Sequence, residues 1–266
     1  MNMGITDFIN ENKGYTTAIA VLFLLGIVLI IYQPTLTSIM PANATATATP
    51  SLTATILLVS TGAYLLYRWF IGGKKNTATL IWGVSNLLFS ITFIGMLLSN
   101  FGVAWADYKD PSIFFTFRSV MILWAAGMFY GISKVLFKSE KSRIIGALAT
   151  IVFGYAWFGY TLLTLGNIDM AMYGFLYLAF IPVCATIAYC FYKYGTVTGF
   201  SSLKIIALGF AIIGISYMAW APWHSNNTYL LWFSIFNVGL ATQLMGFVAL
   251  AYEKKTPPKK LLSPTA

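Results

Sequence analysis

Long apolar runs separated by short polar connectors form the main pattern in this sequence. A helix needs about 20 mostly apolar residues to cross the roughly 30 Å hydrocarbon layer of a membrane. Eight runs come close to or exceed that length, at residues 15–32, 52–71, 77–98, 112–137, 144–166, 170–192, 203–220 and 228–252. The pattern therefore predicts an all-α, polytopic transmembrane helix bundle of eight spans.

The composition favours a membrane protein over a soluble one. Hydrophobic residues make up 59% of the 266-residue sequence, charged residues make up 9%, and the mean hydropathy is +0.78. Soluble domains usually contain about 25% charged residues. Because eight spans leave only short connectors, we expect no separate soluble domain in this sequence.

The N-terminal region differs from the rest. The run at residues 15–32 is followed by an uncharged segment, residues 33–51, with three prolines and an alternating Ala-Thr tract. A cleaved signal peptide is the alternative, but the run is longer than a typical signal core and lacks a preceding excess of positive charge. We interpret residues 1–51 as an anchor helix and extracytoplasmic loop, residues 52–253 as a seven-helix bundle, and residues 254–266 as a basic cytoplasmic tail.

Basic residues are concentrated in alternate connectors and in the tail, whereas the other connectors hold one lysine, Lys109, beside Asp107, Asp110 and Asp169. Basic connectors usually stay in the cytoplasm. We therefore predict a cell-membrane protein with both termini cytoplasmic. The net charge of +9 then predicts contact with anionic lipid headgroups on the cytoplasmic face and no specific binding of nucleic acid.

Two N-x-S/T sequons begin at Asn43 and Asn226, and both fall in connectors that the charge pattern assigns to the outside. Glycan attachment requires such access. Asn226 lies close to a predicted helix end, so Asn43 is the candidate glycosylation site.

The last seven predicted spans begin outside and end inside. In helix count this topology resembles rhodopsins and other seven-helix receptors. Microbial rhodopsins hold retinal on a lysine in the middle of the final span, whereas FSIFNVGLATQLMG at residues 233–246 contains no lysine. We expect no rhodopsin function.

Arg118 is the only charged side chain well inside an apolar run. It lies roughly 9 Å from the outer helix end at 1.5 Å per residue, so it can snorkel to the headgroups or pair with a loop carboxylate. Alternatively, it lines an outward-facing pocket and binds an anionic solute, a lipid headgroup or a partner's carboxylate. Its candidate counter-ions are Asp107, Asp110 and Asp169.

Polar amides also occur deep in the spans, at Asn86, Asn237 and Gln243. They are expected to face protein, where they form interhelical hydrogen bonds or line a solute pathway together with Arg118.

Two further features concern helix packing and shape. Gly127 and Gly131 stand four residues apart, which lets a neighbouring backbone approach closely. Pro182 interrupts the hydrogen bonding of its span, so we expect a kink there.

No catalytic, nucleotide-binding or metal-binding motif is present in the sequence, and we expect neither enzymatic activity nor a cofactor. Cys184 and Cys190 are six residues apart in one helix and face different directions, so we expect no disulfide between them. Three non-catalytic functions remain. The first is a subunit of a larger assembly with membrane-protein partners. The others are a carrier or channel for a small solute or lipid, and a seven-helix sensor or receptor that signals through a separate partner.

Overall fold

A computed structural model describes residues 48–74, 76–136, 139–220 and 226–253. The predicted first span at residues 15–32, the candidate glycosylation site Asn43 and the tail at residues 254–266 lie outside the described residues. The eighth span and the positions of both termini therefore stay predictions.

Helices make up most of the described chain. They are α1 (Ala48–Ile71), α2 (Thr77–Asn100), α3 (Pro111–Arg118), α4 (Val120–Leu136), α5 (Glu140–Phe158), α6 (Ile168–Phe175), α7 (Ile181–Thr198), α8 (Ser201–Trp220) and α9 (Asn226–Tyr252), with a short 3₁₀ helix at Ala104–Ala106. Two π-helical segments, Gly159–Thr164 and Leu176–Phe180, continue α5 and join α6 to α7.

Seven helices in the described residues are long and apolar enough to cross a membrane. One consists of α3 and α4, one of α5 with its π-helical extension, and one of α6, the second π-helical segment and α7; the others are α1, α2, α8 and α9. The described chain is therefore an all-helical bundle of the multi-pass membrane type, as the apolar runs predicted for residues 52–252.

The helix ends extend beyond the apolar runs. Helix α1 begins at Ala48, within the predicted loop, and α7 ends at Thr198 rather than at residue 192. Helices continue past the hydrocarbon layer into the polar headgroup region, where apolar side chains are not required.

Successive spans pack against one another, and α9 also packs against α1, which closes the bundle. Helices α8 and α9 approach most closely at glycines. An ideal Cβ on Gly209 would lie 2.6 Å from the backbone nitrogen of Gln243, and one on Gly246 would lie 2.7 Å from that of Ile206. Only glycine permits these backbones to come so near.

Three irregularities interrupt the described spans. The helix breaks at Ser119, between α3 and α4; the Thr92 hydroxyl donates a hydrogen bond to the Phe117 carbonyl at 2.9 Å. The other two are the π-helical segments Gly159–Thr164 and Leu176–Phe180, and the second ends two residues before Pro182. Pro182 has no N–H and crowds the preceding turn, and a π-helical turn accommodates such a disruption.

Aromatic side chains fill the centre of the bundle. Five fully buried rings from different elements, Phe89, Trp124, Phe180, Tyr217 and Phe236, form a closed circuit that we call the central aromatic cluster. Their centroids are 4.9 Å apart for Phe89–Trp124, 4.8 Å for Trp124–Phe180, 4.6 Å for Phe180–Tyr217, 5.3 Å for Tyr217–Phe236 and 6.3 Å for Phe236–Phe89. Aromatic contacts at these separations are favourable beyond their burial.

Candidate functional site

The Arg118 side chain is buried inside the protein, with 3% of its surface exposed. Its guanidinium donates to the thioether sulfurs of Met96 at 3.0 Å and Met121 at 3.6 Å, both weak acceptors. The expectation that it snorkels to the membrane surface is wrong, because surrounding side chains enclose it.

Three aromatic rings take the place of a counter-ion around Arg118. The guanidinium carbon lies 6.0 Å from the ring centroid of Phe93, 5.7 Å from that of Tyr108 and 5.6 Å from that of Phe114. Such cation–π contacts are stronger when water is excluded. In the described residues no hydrogen-bond partner reaches the buried Nε of Arg118.

The three aspartates proposed as counter-ions are all exposed. Asp110 instead caps α3, where its Oδ1 accepts hydrogen bonds from the backbone N–H of Ser112 at 2.7 Å and of Ile113 at 3.3 Å. Asp107 accepts from the backbone N–H of Lys109 at 3.0 Å. Within the described part of the chain no carboxylate pairs with Arg118, so the proposed internal salt bridge is absent there.

Asn86 is fully buried and has hydrogen bonds on both sides of its amide. Its Nδ2 donates to the carbonyl of Trp82 at 2.8 Å, and its Oδ1 lies 3.5 Å from the Trp124 indole N–H. The Trp124 contact joins α4 to α2, which agrees with the prediction that Asn86 takes part in interhelical hydrogen bonding. It also links Asn86 directly to the central aromatic cluster.

Gln243 is fully buried too, but neither its Nε2 nor its Oε1 has a hydrogen-bond partner among the described residues. An unsatisfied buried amide group costs about 1 to 3 kcal/mol. Water or a ligand that reached Gln243 would remove this cost, so its amide is a candidate contact for a molecule from outside the chain.

Asn237 has a different position. Its Nδ2 donates to the carbonyl of Pro50 at 3.1 Å and thereby ties α9 to the first turn of α1. In the described residues Arg118, Asn86 and Asn237 have separate partners and Gln243 has none, so their role as one ligand site stays a prediction.

A cavity of about 430 Å³ lies at the end of the bundle where α1 ends and α2 begins, and α4, α7, α8 and α9 also contribute to its wall. Exposed residues at its rim, Gly72, Asn76 and Tyr194, show that it opens at this end. The lining residues are Tyr64, Leu65, Arg68, Trp69, Gly72, Asn76, Ala78, Thr79, Trp82, Gly131, Ile132, Cys190, Phe191, Tyr194, Leu203, Phe247, Leu250 and Ala251.

Three aromatic side chains form the inner wall of this cavity, and we call them the aromatic floor. Trp82 lies 5.5 Å from Phe191 and 5.7 Å from Phe247 between ring centroids, and the two phenylalanines are 6.3 Å apart. The indole N–H of Trp82 donates to the Met128 carbonyl at 3.2 Å, which fixes its orientation.

Asn86 and Gln243 each lie one helical turn behind a residue of the aromatic floor. Asn86 follows Trp82 by four residues on α2, and Gln243 precedes Phe247 by four on α9. Both amides are nine residues from the cavity end of their helix, or about 14 Å at 1.5 Å per residue. They therefore lie at one depth, between the aromatic floor and the central aromatic cluster.

Among the described residues that line the cavity, Arg68 is the only charged one. In the described residues Arg68 has no ion pair and no side-chain hydrogen bond. Tyr64, one turn earlier on α1, has a buried hydroxyl that likewise has no partner there. A guanidinium and a phenol that both lack a hydrogen-bond partner among the described residues thus occupy one helix face beside an apolar wall.

The glycines of α4 serve packing, but against side chains rather than the expected backbone. An ideal Cβ on Gly127 would lie 2.1 Å from Ser85 Oγ, and one on Gly131 would lie 2.0 Å from Trp82 Nε1. Gly131 therefore makes room for a residue of the aromatic floor.

Sequence reasoning missed the cavity. The charge pattern places Arg68 only among the basic residues of a cytoplasmic connector, although its spacing of four residues from Tyr64 puts both side chains on one helix face. The floor brings together residues far apart in the chain, and no local pattern identifies such a set.

In the described ranges no three His, Cys, Asp or Glu residues come together. Cys184 and Cys190 are both free thiols, as their spacing predicted. No protein-family model, curated protein or solved structure matches this chain.

Proposed function

We propose that this protein is a non-catalytic membrane carrier for a small solute or lipid, and that the cavity at the end of the bundle is one opening of its pathway. The observation that carries the proposal is the cavity itself, which enters the bundle from one end and stops at the aromatic floor. A carrier requires a site that is reachable from one side and closed toward the other.

The layers behind the cavity fit such a pathway. The aromatic floor separates the cavity from the buried amides of Asn86 and Gln243, and the central aromatic cluster closes the bundle beyond them. The amide of Gln243, which has no partner in the described chain, provides hydrogen-bonding groups for a solute that passes the floor.

A hinge is available between the two closures. Phe180 of the central aromatic cluster ends the π-helical segment Leu176–Phe180, and Phe191 of the aromatic floor follows Pro182 on α7. The π-helical turns and the proline weaken the regular hydrogen bonding of this span. Rotation at this point would move Phe191 of the aromatic floor relative to Phe180 of the central aromatic cluster.

The lysine and arginine pattern gives the proposal its direction. The cavity lies at the end that carries Arg68, Lys74 and Lys193, which the positive-inside rule assigns to the cytoplasm. In the proposed orientation, the cavity faces inward in the cell membrane, rather than outward as the sequence-based hypothesis for Arg118 assumed.

Cysteine accessibility tests the pathway without knowledge of the substrate. In a Cys184→Ala, Cys190→Ala background, we expect the small anionic reagent sulfonatoethyl methanethiosulfonate to modify Gln243→Cys. Met245→Cys is the matched control, because it lies at nearly the same depth but is 55% exposed on the outside of the bundle, where lipid excludes a charged reagent.

Thr79→Cys, in the cavity wall, shows whether the reagent enters the cavity at all. Modification of Thr79→Cys but not of Gln243→Cys would mean that the cavity ends at the aromatic floor, which would contradict a carrier.

A subunit role in a larger assembly is the second candidate. In α5 and its extension, only 17% of the most apolar 18-residue stretch is buried within the protein. Ile145, Leu148 and Val152 are more than half exposed. Lipid or a partner helix can cover such a surface. Stoichiometric copurification of another membrane protein after mild solubilisation would support this role. The sensor hypothesis stays a prediction.

A further inference from the structure

The cavity carries a positive charge with no counter-charge from the described chain. Arg68 is partly buried in its wall and has no acidic partner there. A guanidinium in a partly apolar site is stabilised most by a planar anion that accepts hydrogen bonds from two of its N–H groups at once. The charge of the cavity therefore favours an anionic ligand over a neutral or cationic one.

A second polar group stands close to this charge. The Tyr64 hydroxyl is buried and has no hydrogen-bond partner in the described residues, and it lies on the same helix face as Arg68. A phenol can donate one hydrogen bond, so the two side chains together provide a fork of donors for one carboxylate or phosphate group. Leaving such a donor unsatisfied is costly.

The remaining wall is mainly apolar. The aromatic floor forms its inner part, and Leu203 and Leu250 form part of its sides. The volume of about 430 Å³ lies in the range of pockets that hold small organic ligands, which commonly combine an apolar wall with a few polar contacts. A small hydrophilic anion would leave most of this wall unused.

We infer that the cavity binds an amphipathic anion, with its acidic head at Arg68 and Tyr64 and its apolar body against the aromatic floor. This inference rests on the proposed carrier function, for which it names the substrate class. Two sources supply the chemistry, a free carboxylic acid with an acyl or aromatic body and an anionic membrane lipid.

The test uses the full chain in phosphatidylcholine nanodiscs, with sodium decanoate as the anionic probe and decanol as its neutral match. Decanoate raises the thermal unfolding temperature and quenches or shifts tryptophan fluorescence, because Trp82 and Trp69 line the cavity. Decanol binds more weakly. Loss of a hydrogen bond to a charged group lowers affinity by roughly 10- to 100-fold, which is the loss expected for decanoate in Arg68→Gln.

Three variants sharpen the result. Tyr64→Phe weakens decanoate binding by a smaller factor and leaves decanol unchanged. Arg68→Lys retains part of the preference for the anion, which covers the case in which Arg68→Gln fails to fold. Lys193→Gln is the matched control, since Lys193 is exposed at the same end and does not line the cavity.

A separate experiment tests an anionic membrane lipid as the ligand, with phosphatidylglycerol in place of part of the phosphatidylcholine. If phosphatidylglycerol stabilises the wild type but not Arg68→Gln, and decanoate has no effect, the ligand is a lipid and the inference holds. Equal affinity for decanoate and decanol, or identical anion effects in wild type and Arg68→Gln, would overturn it.

These outcomes separate the inference from the carrier proposal. If decanoate binding depends on Arg68 but Gln243→Cys is unreactive, the cavity is an anion-binding site and the proposed carrier pathway is wrong. A reactive Gln243→Cys without any preference for anions would retain the pathway and reject this substrate class.

Discussion

The carboxylate of Glu253, just after the end of α9, accepts hydrogen bonds from the backbone N–H of Ser201 at 2.7 Å and from its hydroxyl at 2.9 Å. It also accepts from the backbone N–H of Ser202 at 3.1 Å and from the Ser202 hydroxyl. These N–H groups belong to the first turn of α8, which has no helical acceptors for them. Glu253 thus caps one helix from the end of its neighbour.

We predict that Glu253→Gln destabilises the protein by about 1 kcal/mol, the usual effect of losing a helix cap. Partial burial raises the pKa of the Glu253 carboxyl, but the hydrogen bonds from Ser202 and Ser201 outweigh it and hold the pKa below its ordinary value. The stabilisation is therefore complete above the ordinary glutamate pKa, and it is lost as the pH falls through the lower folded pKa.

Thermal unfolding in detergent between neutral and acidic pH measures this effect. Glu140→Gln is the control, because Glu140 is exposed and its one hydrogen bond within the described residues is long, at 3.4 Å from the Tyr130 hydroxyl. If Glu253→Gln and Glu140→Gln unfold alike at neutral pH, the capping role is wrong.

The contact between α8 and α9 gives a second prediction. Gly209→Ala places a Cβ 2.6 Å from the backbone nitrogen of Gln243, and backbone cannot rotate away as a side chain can. Overpacking of this kind costs about 1 to 3 kcal/mol. Gly159→Ala is the matched control, because a Cβ there meets no atom within 4 Å. A Gly209→Ala protein as stable as Gly159→Ala would contradict the observed helix approach.

The orientation of the bundle gives a third prediction. In the background without native cysteines, Lys109→Cys in a connector and Ser142→Cys in the first turn of α5 both lie at exposed positions. The charge pattern assigns these two positions to opposite sides of the membrane. A membrane-impermeant maleimide added to intact cells should label Lys109→Cys, and should label Ser142→Cys only after permeabilisation. The reverse pattern would turn the cavity outward and reverse the direction of the proposed carrier.

The spans were predictable because the lipid environment acts directly on local sequence. Any residue between the helix ends must suit hydrocarbon or protein, so a run of apolar residues marks a span without knowledge of its neighbours. This is why the runs at residues 77–98 and 228–252 agree with α2 and α9 to within two residues at each end. The helix break at Ser119 left no such mark, because Thr92, a residue of another span, satisfies the freed carbonyl.

The surroundings of the polar residues depend on tertiary packing and could not be predicted in the same way. Asn86 and Gln243 lie at the same depth, but only Asn86 has hydrogen-bond partners in the described residues, because the Trp124 indole lies close to Asn86 and not to Gln243. Nothing in the sequence near either amide distinguishes them. Similarly, Arg68 and Phe247 approach one cavity from helices nearly 180 residues apart in sequence, and only the closed bundle brings them together.

The last prediction concerns Arg118. Substitutions at this buried residue can separate the effect of its charge on stability from the effect of its volume. The guanidinium has lost its water and has gained two thioether sulfurs and three ring faces, while its Nε lacks a partner in the described chain. Replacing a buried charge with an apolar side chain of similar shape is often neutral or stabilising, and methionine packs well against aromatic rings.

Arg118→Met should therefore unfold at the same temperature as the wild type or higher, whereas Arg118→Ala should lose about 3 kcal/mol through the void it leaves. Equal destabilisation by both variants would show that the charge itself stabilises the bundle. Decanoate binding should be unchanged in Arg118→Met, since Arg118 does not line the cavity. Loss of that binding in a fully folded Arg118→Met protein would instead restore the ligand-binding role that the sequence suggested for Arg118.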